Sequence, residues 1–219
     1  VTDIQECLDS CQADIAIHSA KDTPARAPVG ISRYYLSSKS SKDVMIYRGN
    51  DKFDSKMRLG TSSLRRKLQA LHFLKSSNVV ALSGNIDTRL EKLHQGDYDC
   101  IILAKAGLER LDLLKELNYM DMEWITASGQ GTLAIEYPNN KKLLNLEENI
   151  DKSIDDSIRA QRSILEKINA NCNSAISIES NNNMINISGE IYGEKKYISF
   201  SGSSSTEAIE DIKKQDGKK

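Results

Sequence analysis

The stretch Gly60–Leu71, GTSSLRRKLQAL, reads as the end of a strand, a cap and the start of a helix. Thr61, Ser62 and Ser63 carry hydroxyls suited to the orphan N–H groups of a helix N-terminus. Leu64, Leu68, Leu71 and Leu74 recur at helical spacing, which predicts a helix over Thr61–Ser76 with these four on its buried stripe. Arg65 and Arg66 then fall in the first turn, where a cation opposes the helix macrodipole. Either both project into water, or an anion lies among them at an end that already favours anions. Arginine suits a carboxylate because its planar fork can bind both oxygens.

The same grammar continues on either side. Met57–Gly60, Asn78–Leu82 and Asp99–Ala104 read as strands, and Ile86–Gln95 and Gly107–Leu117 as helices. Gly84–Asn85 makes a turn, and Gly96 is the C′ residue of the helix before it. A βαβαβα run predicts a parallel sheet with helices on its faces, and ligands bind at the C-terminal strand edge of such sheets. Arg65, Arg66, Arg89 and Arg110 all follow such edges; converging, they would make a polyanion pocket.

Towards the N-terminus, Ile4–Cys11 is the end of a helix, Asp14–Ser19 a strand and Ile31–Leu36 a second strand, separated by a turn with Pro24, Pro28 and Gly30. HSAKDTPA places Lys21 and Asp22 at a strand end. Asp22 there can hold an ammonium or move a proton; the other reading is a solvated ion pair. His18 reads as a satisfied, half-buried histidine. Ser37–Lys42 is a polar linker.

Towards the C-terminus, Ala127–Tyr137, ASGQGTLAIEY, is a glycine-containing loop leading into a helix or strand, and Asn139–Asn149 is a polar connector. Ile150–Asn169 is an amphipathic helix with Ile154, Ile158, Ser163, Leu165 and Ile168 near one face. SAISIES, MINISGEIYG and KKYISFSG form a three-stranded meander, with Asn181–Asn183 as its first turn, and a charged helix ends the chain. Cys172 lies in a loop as a nucleophile, an attachment point or an inert thiol. Cys100 is core.

Lysine plus arginine number 30 against 31 acidic residues in 219, a net charge of −1, which excludes a whole-molecule field for nucleic acid. No apolar run reaches the roughly 18 residues of a membrane span. Scattered cysteines and no export signal suggest a reducing cytoplasm. Cys7 and Cys11 lack partners for a metal set, as do His72 and His94, so no metal is expected. The chain starts at Val1 without an initiator Met and reads as a fragment or a processed form.

Taken in order, DIAIHSAKDTPA, RLGTSSLRRKLQAL, GNIDTRLEKL, YDCIILAKAGLERL and ASGQGTLAIEY resemble the porphobilinogen deaminase (hydroxymethylbilane synthase) family over about Val1 to Ser177, and more weakly beyond. The resemblance implies an α/β fold of two periplasmic-binding-protein-like lobes plus a small C-terminal α+β domain. Domain 1 would comprise 1–40 and 127–148, domain 2 the parallel lobe 41–126, and domain 3 the residues 149–219. It implies a monomer that joins four porphobilinogen molecules head to tail with loss of ammonia. A dipyrromethane cofactor would be thioether-linked to Cys172. Asp22 would be the catalytic carboxylate. Lys21, Ser19, Thr61, Ser63, Arg65, Arg66 and Arg89 would hold cofactor carboxylates. Arg110, Gln130 and Gly131 would serve the substrate. On this reading the two adjacent arginines make sense only with such a ligand.

Four departures from the family pattern accompany the match. The family's N-terminal segment is absent, which leaves Ile15 and Ile17 uncovered and predicts a poorly stable or inactive chain. Ser83 replaces an arginine, Ala170–Asn171 a glycine pair, and Tyr137–Pro138 stands where an arginine is usual. Two other classes are a two-lobed protein that captures a small polycarboxylate without chemistry, and an inactive truncated remnant.

Overall fold

The computed structural model describes residues 2–10, 12–37, 39–49, 52–141, 148, 150–170, 174–181, 184–190 and 197–216. Its elements run α1 (Thr2–Asp9), β1 (Ala16–Ser19), β2 (Ile31–Ser37), β3 (Asp43–Tyr47), β4 (Leu59–Gly60), α2 (Leu64–Phe73), β5 (Val79–Val80) and α3 (Ile86–His94). Next come β6 (Cys100–Ala104), α4 (Lys105–Arg110), β7 (Tyr119–Asp121), β8 (Thr132–Pro138) and α5 (Lys152–Lys167). β9 (Ile176–Asn181), β10 (Met184–Glu190), β11 (Tyr197–Gly202) and α6 (Ser205–Asp216) complete the chain.

The fold is α/β: two lobes, each with its own sheet, and a small α+β unit. The first lobe holds the antiparallel sheet β1-β8-β2. The second holds the five-stranded sheet β5-β4-β6-β3-β7. The parallel order inferred from the sequence holds for β5, β4 and β6 only, because β3 runs antiparallel to both β6 and β7. Neither β3 nor β7 is evident in the βαβα pattern. β3 is buried on both faces: Val44 and Ile46 enter one apolar cluster, Met45 and Tyr47 the other. Strands covered on both faces lose the period-two signal.

Helix α2 corrects a second expectation. Its buried residues are Arg65, Arg66, Gln69 and Ala70, while Leu64 and Leu71 are exposed and Leu68 and Leu74 half-buried. The helix turns its polar stripe inward, so the apolar spacing marked the wrong face. In α5 the buried side includes Ile158, Gln161, Arg162, Ile164 and Leu165, whereas Ser163 is exposed. Gly107–Leu117 is α4 followed by a short 3-10 turn at Leu114–Glu116. ASGQGTLAIEY resolves into a loop and β8. Gly96, at φ +88°, ends α3 as a C′ glycine.

α5 and α6 pack on one face of the sheet β11-β10-β9 through Ile164, Ile168, Ile178, Ile187 and Ile212. Asn182 and Asn183 of the expected turn, and most of the connector at 142–149, lie outside the described residues. On the first lobe, Ile15 and Ile17 are 43% and 60% exposed, as the sequence led one to expect. His18 is buried, with Nε2 3.2 Å from Glu136 Oε2. Cys100 is core, and burial pushes its thiol up to about 12.

Candidate active site

β1 ends at Ser19 and a 3-10 turn, Ala20–Asp22, carries the chain away from the sheet. Facing it are the C-terminal ends of the parallel strands, where β4 gives way to α2 and β5 to α3. Between them lies a cleft of about 650 Å³ lined by Lys21, Asp22, Ser63, Arg65, Arg66, Arg89 and Gln130. An adjoining recess of about 210 Å³ shares Lys21, Arg66, Arg89 and Gln130, and adds Ser19, Arg110 and Gly131. The four arginines converge as their strand positions implied. Thr61 does not join the wall: it is 3% exposed, and its Oγ1 accepts the Ser63 N–H at 3.2 Å. Cys172 and Asn171 lie outside the described residues, but their neighbours Ala170 and Ser174 both line the cleft.

The anion beside Arg65 and Arg66 belongs to the protein. Arg65 Nη1 donates to Asp43 Oδ2 at 2.7 Å, and Arg66 Nε and Nη2 donate to Asp43 Oδ1 at 3.1 and 2.8 Å. Trp124 Nε1 donates to Asp43 Oδ2 at 3.0 Å and Gln130 Nε2 to Oδ1 at 2.9 Å. Burial by itself would raise the Asp43 pKa; the two guanidiniums, Arg66 before Arg65, overcome this and hold it well below the usual carboxylate range. Arg65 also reaches Gln69 Oε1 at 2.9 Å, and Arg66 Nη1 the Ile102 carbonyl at 3.2 Å. The adjacent arginines thus have a partner inside the protein, so an external ligand is not the only way to account for them; one carboxylate balances one of the two charges, and both residues line the cleft.

Other groups are placed to meet a ligand as well. Arg89 makes one protein hydrogen bond, Nε to the Gly84 carbonyl at 2.7 Å, so its two Nη groups have no protein acceptor among the described residues. Burial, then the charge of Arg66, pulls its pKa down. The Lys21 amine has no hydrogen-bond partner among the described residues, and burial and then Arg66 lower its pKa. Both cations gain from an arriving carboxylate. Asp22 is exposed in the cleft, its carboxylate without a hydrogen bond from the described residues. Ser83 is exposed, and only its carbonyl is used, by Lys92 Nζ at 3.2 Å.

Two buried side chains position this wall, and sequence reading missed both. Asp43 begins an apolar strand, where a charge looks like a boundary residue. Arg162 sits on the inward stripe of α5; Nη1 donates to the Thr23 carbonyl at 2.9 Å and Nη2 to those of Ala20 and Ser128. It ties the C-terminal unit to the loop that bears Lys21 and Asp22. A cation on the apolar face of an amphipathic helix was the available signal.

The family model described as porphobilinogen deaminase, dipyromethane cofactor binding domain, matches residues 1–145. The chain belongs to the porphobilinogen deaminase family. It is 36% identical over 173 residues to the porphobilinogen deaminase of Campylobacter fetus, covering 76% of this chain and 57% of that one. It is 38% identical over 152 residues to that of Campylobacter jejuni, covering 66% and 50%, and 34% identical over 202 residues to that of Brevibacillus brevis, covering 87% and 65%. The chain thus spans about half to two thirds of the length of these family members. Among solved structures it is similar to a probable amino-acid ABC transporter extracellular-binding protein of Bacillus subtilis, at 14% identity and a TM-score of 0.43 over 75% of each chain. Among the described residues no helix is long and apolar enough to cross a membrane, and no group of three or more His, Cys, Asp or Glu could hold a metal ion.

Proposed function

We propose that this chain is the catalytic part of a hydroxymethylbilane synthase, a transferase that joins four porphobilinogen molecules head to tail and releases ammonia. One observation carries the reading: Asp22 and the residues two positions either side of Cys172, Ala170 and Ser174, line a single cleft together with Lys21 and Arg89, and the Lys21 amine and the two Arg89 Nη groups have no protein acceptor among the described residues. Each pyrrole brings two carboxylates, which is the chemistry those cations fit. A dipyrromethane group linked to Cys172 would be held by Lys21, Ser19, Ser63 and Arg89, with Thr61 behind Ser63. It supplies the pyrrole carbon to which the first substrate is joined.

Asp22 accepts the pyrrole N–H and offsets the positive charge that develops as ammonia leaves, in a cleft that pre-orients it. Arg110, Gln130 and Gly131 take the substrate's carboxylates in the adjoining recess. Arg65 and Arg66, tied to Asp43, keep the wall in register and would turn their remaining positive charge to the cofactor carboxylates. The reading includes three domains, bounded at 1–40 with 127–148, 41–126 and 149–219, and a monomer working in the cytoplasm; the free thiols of Cys7 and Cys100 support a reducing setting.

The test is the intact denatured mass of the chain after incubation with porphobilinogen, beside a Cys172→Ala variant. The expected result is an added mass of two condensed porphobilinogen units in the parent and none in the variant. An unmodified parent, or the same adduct in both, overturns the assignment.

A further inference from the structure

We infer that a second cleft, at the C-terminal end of α2, binds a planar, uncharged nitrogen heterocycle of the nucleoside kind. This cleft measures about 770 Å³ and lies between the second lobe and the sheet β11-β10-β9. One face of that sheet is committed to the core with α5 and α6 through Ile178, Ile185 and Ile187. The middle of the other face carries small or polar side chains in two cross-strand rows, with Met184 beyond them at one end. Ser177, Ser188 and Ser199 form the first, and Glu179, Asn186 and Ser201 the second.

The second row is wired in one direction. Ser201 Oγ donates to Asn186 Oδ1 at 2.8 Å, and Asn186 Nδ2 donates to Glu179 Oε1 at 3.2 Å. Glu179 Oε2 accepts nothing from the described residues. The inner end is closed by Gln69, whose Nε2 bonds Ser177 Oγ at 3.0 Å and the Ile125 carbonyl at 2.7 Å. Ser177, 1% exposed, is covered by Gln69, which leaves Ser188, Ser199 and Ser201 to line the cleft.

Opposite this polar floor stands an aromatic wall. Phe73 is 52% exposed, with its ring centroid 6.4 Å from that of Trp124 and 4.8 Å from that of His72. The indole is held in orientation by its N–H bond to Asp43. A ligand that fills the gap needs a flat face for Phe73, with the Trp124 ring tilted 39° from it at the ligand's edge, and an edge or hydroxyls that donate to Glu179 and exchange hydrogen bonds with the serines.

Charge decides against an acid. The nearest ammonium, Lys42, is taken by Glu123 at 2.6 Å, and Glu179 adds a further negative charge. The volume falls in the range of small-molecule sites, about 300–1,000 Å³. A base stacked on the wall, with sugar hydroxyls turned to Glu179, satisfies every group named. A polycarboxylate satisfies the first cleft and not this one, so the inference stands whether or not the proposed function does.

Trp124 is the only tryptophan in the chain, so its fluorescence reads this cleft directly. The experiment titrates the full chain with adenosine, with adenosine monophosphate and with porphobilinogen. The expected result is saturable quenching by adenosine, weaker response to the monophosphate, and an adenosine Kd about tenfold higher in Phe73→Ala, the loss of about 1.4 kcal/mol of stacking. Asn186→Leu should weaken binding as well, and a thermal melt of each variant separates lost binding from lost folding. Absence of saturable quenching, an unchanged Kd in a folded Phe73→Ala, or a monophosphate that binds as tightly as adenosine overturns the inference.

Discussion

The N-termini of α2 and α3 are built alike and end up doing different work. Each follows a strand of the parallel trio, and each is capped by a side chain: Ser63 accepts the Arg66 N–H and Asn85 the Thr88 N–H. Each puts arginine in the first turns. At α2 a buried carboxylate on a neighbouring strand, Asp43, pairs with both cations. At α3 no carboxylate among the described residues pairs with Arg89, and its two Nη groups face the cleft without a protein acceptor there. A strand–cap–helix–arginine motif thus states which chemistry is possible. The residue opposite decides whether that chemistry holds the fold or a ligand.

Removing Asp43 breaks the contrast most severely. Asp43→Asn leaves two buried guanidiniums without a counter-charge, and the expected loss is about 3–5 kcal/mol of stability, as when one partner of a buried pair is removed; chemical denaturation measures it. A loss under about 1 kcal/mol would mean that water already shares those arginines.

Arg89→Gln is expected to act on ligand and not on fold. Porphobilinogen or a pyrrole dicarboxylate analogue should bind more weakly by about 1.5–3 kcal/mol, the usual worth of a hydrogen bond to a charged group. The denaturation midpoint should stay put. A variant equally impaired in both would make α3 a second structural clamp and erase the distinction.

The smallest effect near neutrality is the pH dependence of the clamp. Asp43 has a folded pKa below its unfolded value, so its contribution is complete above the unfolded value, about 3.9, and fades as pH falls beneath it. A parent chain measured between pH 7 and 5 should show no change from this source. Below about pH 4 it should lose stability that Asp43→Asn lacks from the start.

Much of this was legible in the sequence, and the omissions have physical reasons. The order of strands and helices from Leu59 to Ala104 follows from apolar period, caps and Gly96. Strand direction does not, since pairing partners far apart in sequence set it; hence a mixed sheet where a parallel one was expected. The leucine spacing in α2 was real, but the helix answers to Asp43 and turns Arg65, Arg66 and Gln69 inward. At the site, Lys21, Asp22, Arg89 and Arg110 were readable because strand ends and first turns are positions with a known outlook. Asp43 and Arg162 were not, because a buried charge reveals its purpose only through a partner 22 or more residues away.

The chain crosses from the first lobe to the second near residue 40 and returns near residue 130, and the two crossings touch. The Lys39 N–H donates to the Gly131 carbonyl at 3.1 Å. Gly131, at φ +82°, has no room for a side chain, since a Cβ would sit 2.6 Å from the carbonyl oxygens of Lys39 and Ser40. Two ribbons laid edge to edge in this way form a hinge, the kind of place where two-lobed folds concentrate the rotation of one lobe against the other. A side chain at residue 131 would therefore be felt first at the hinge and only through it at the cleft.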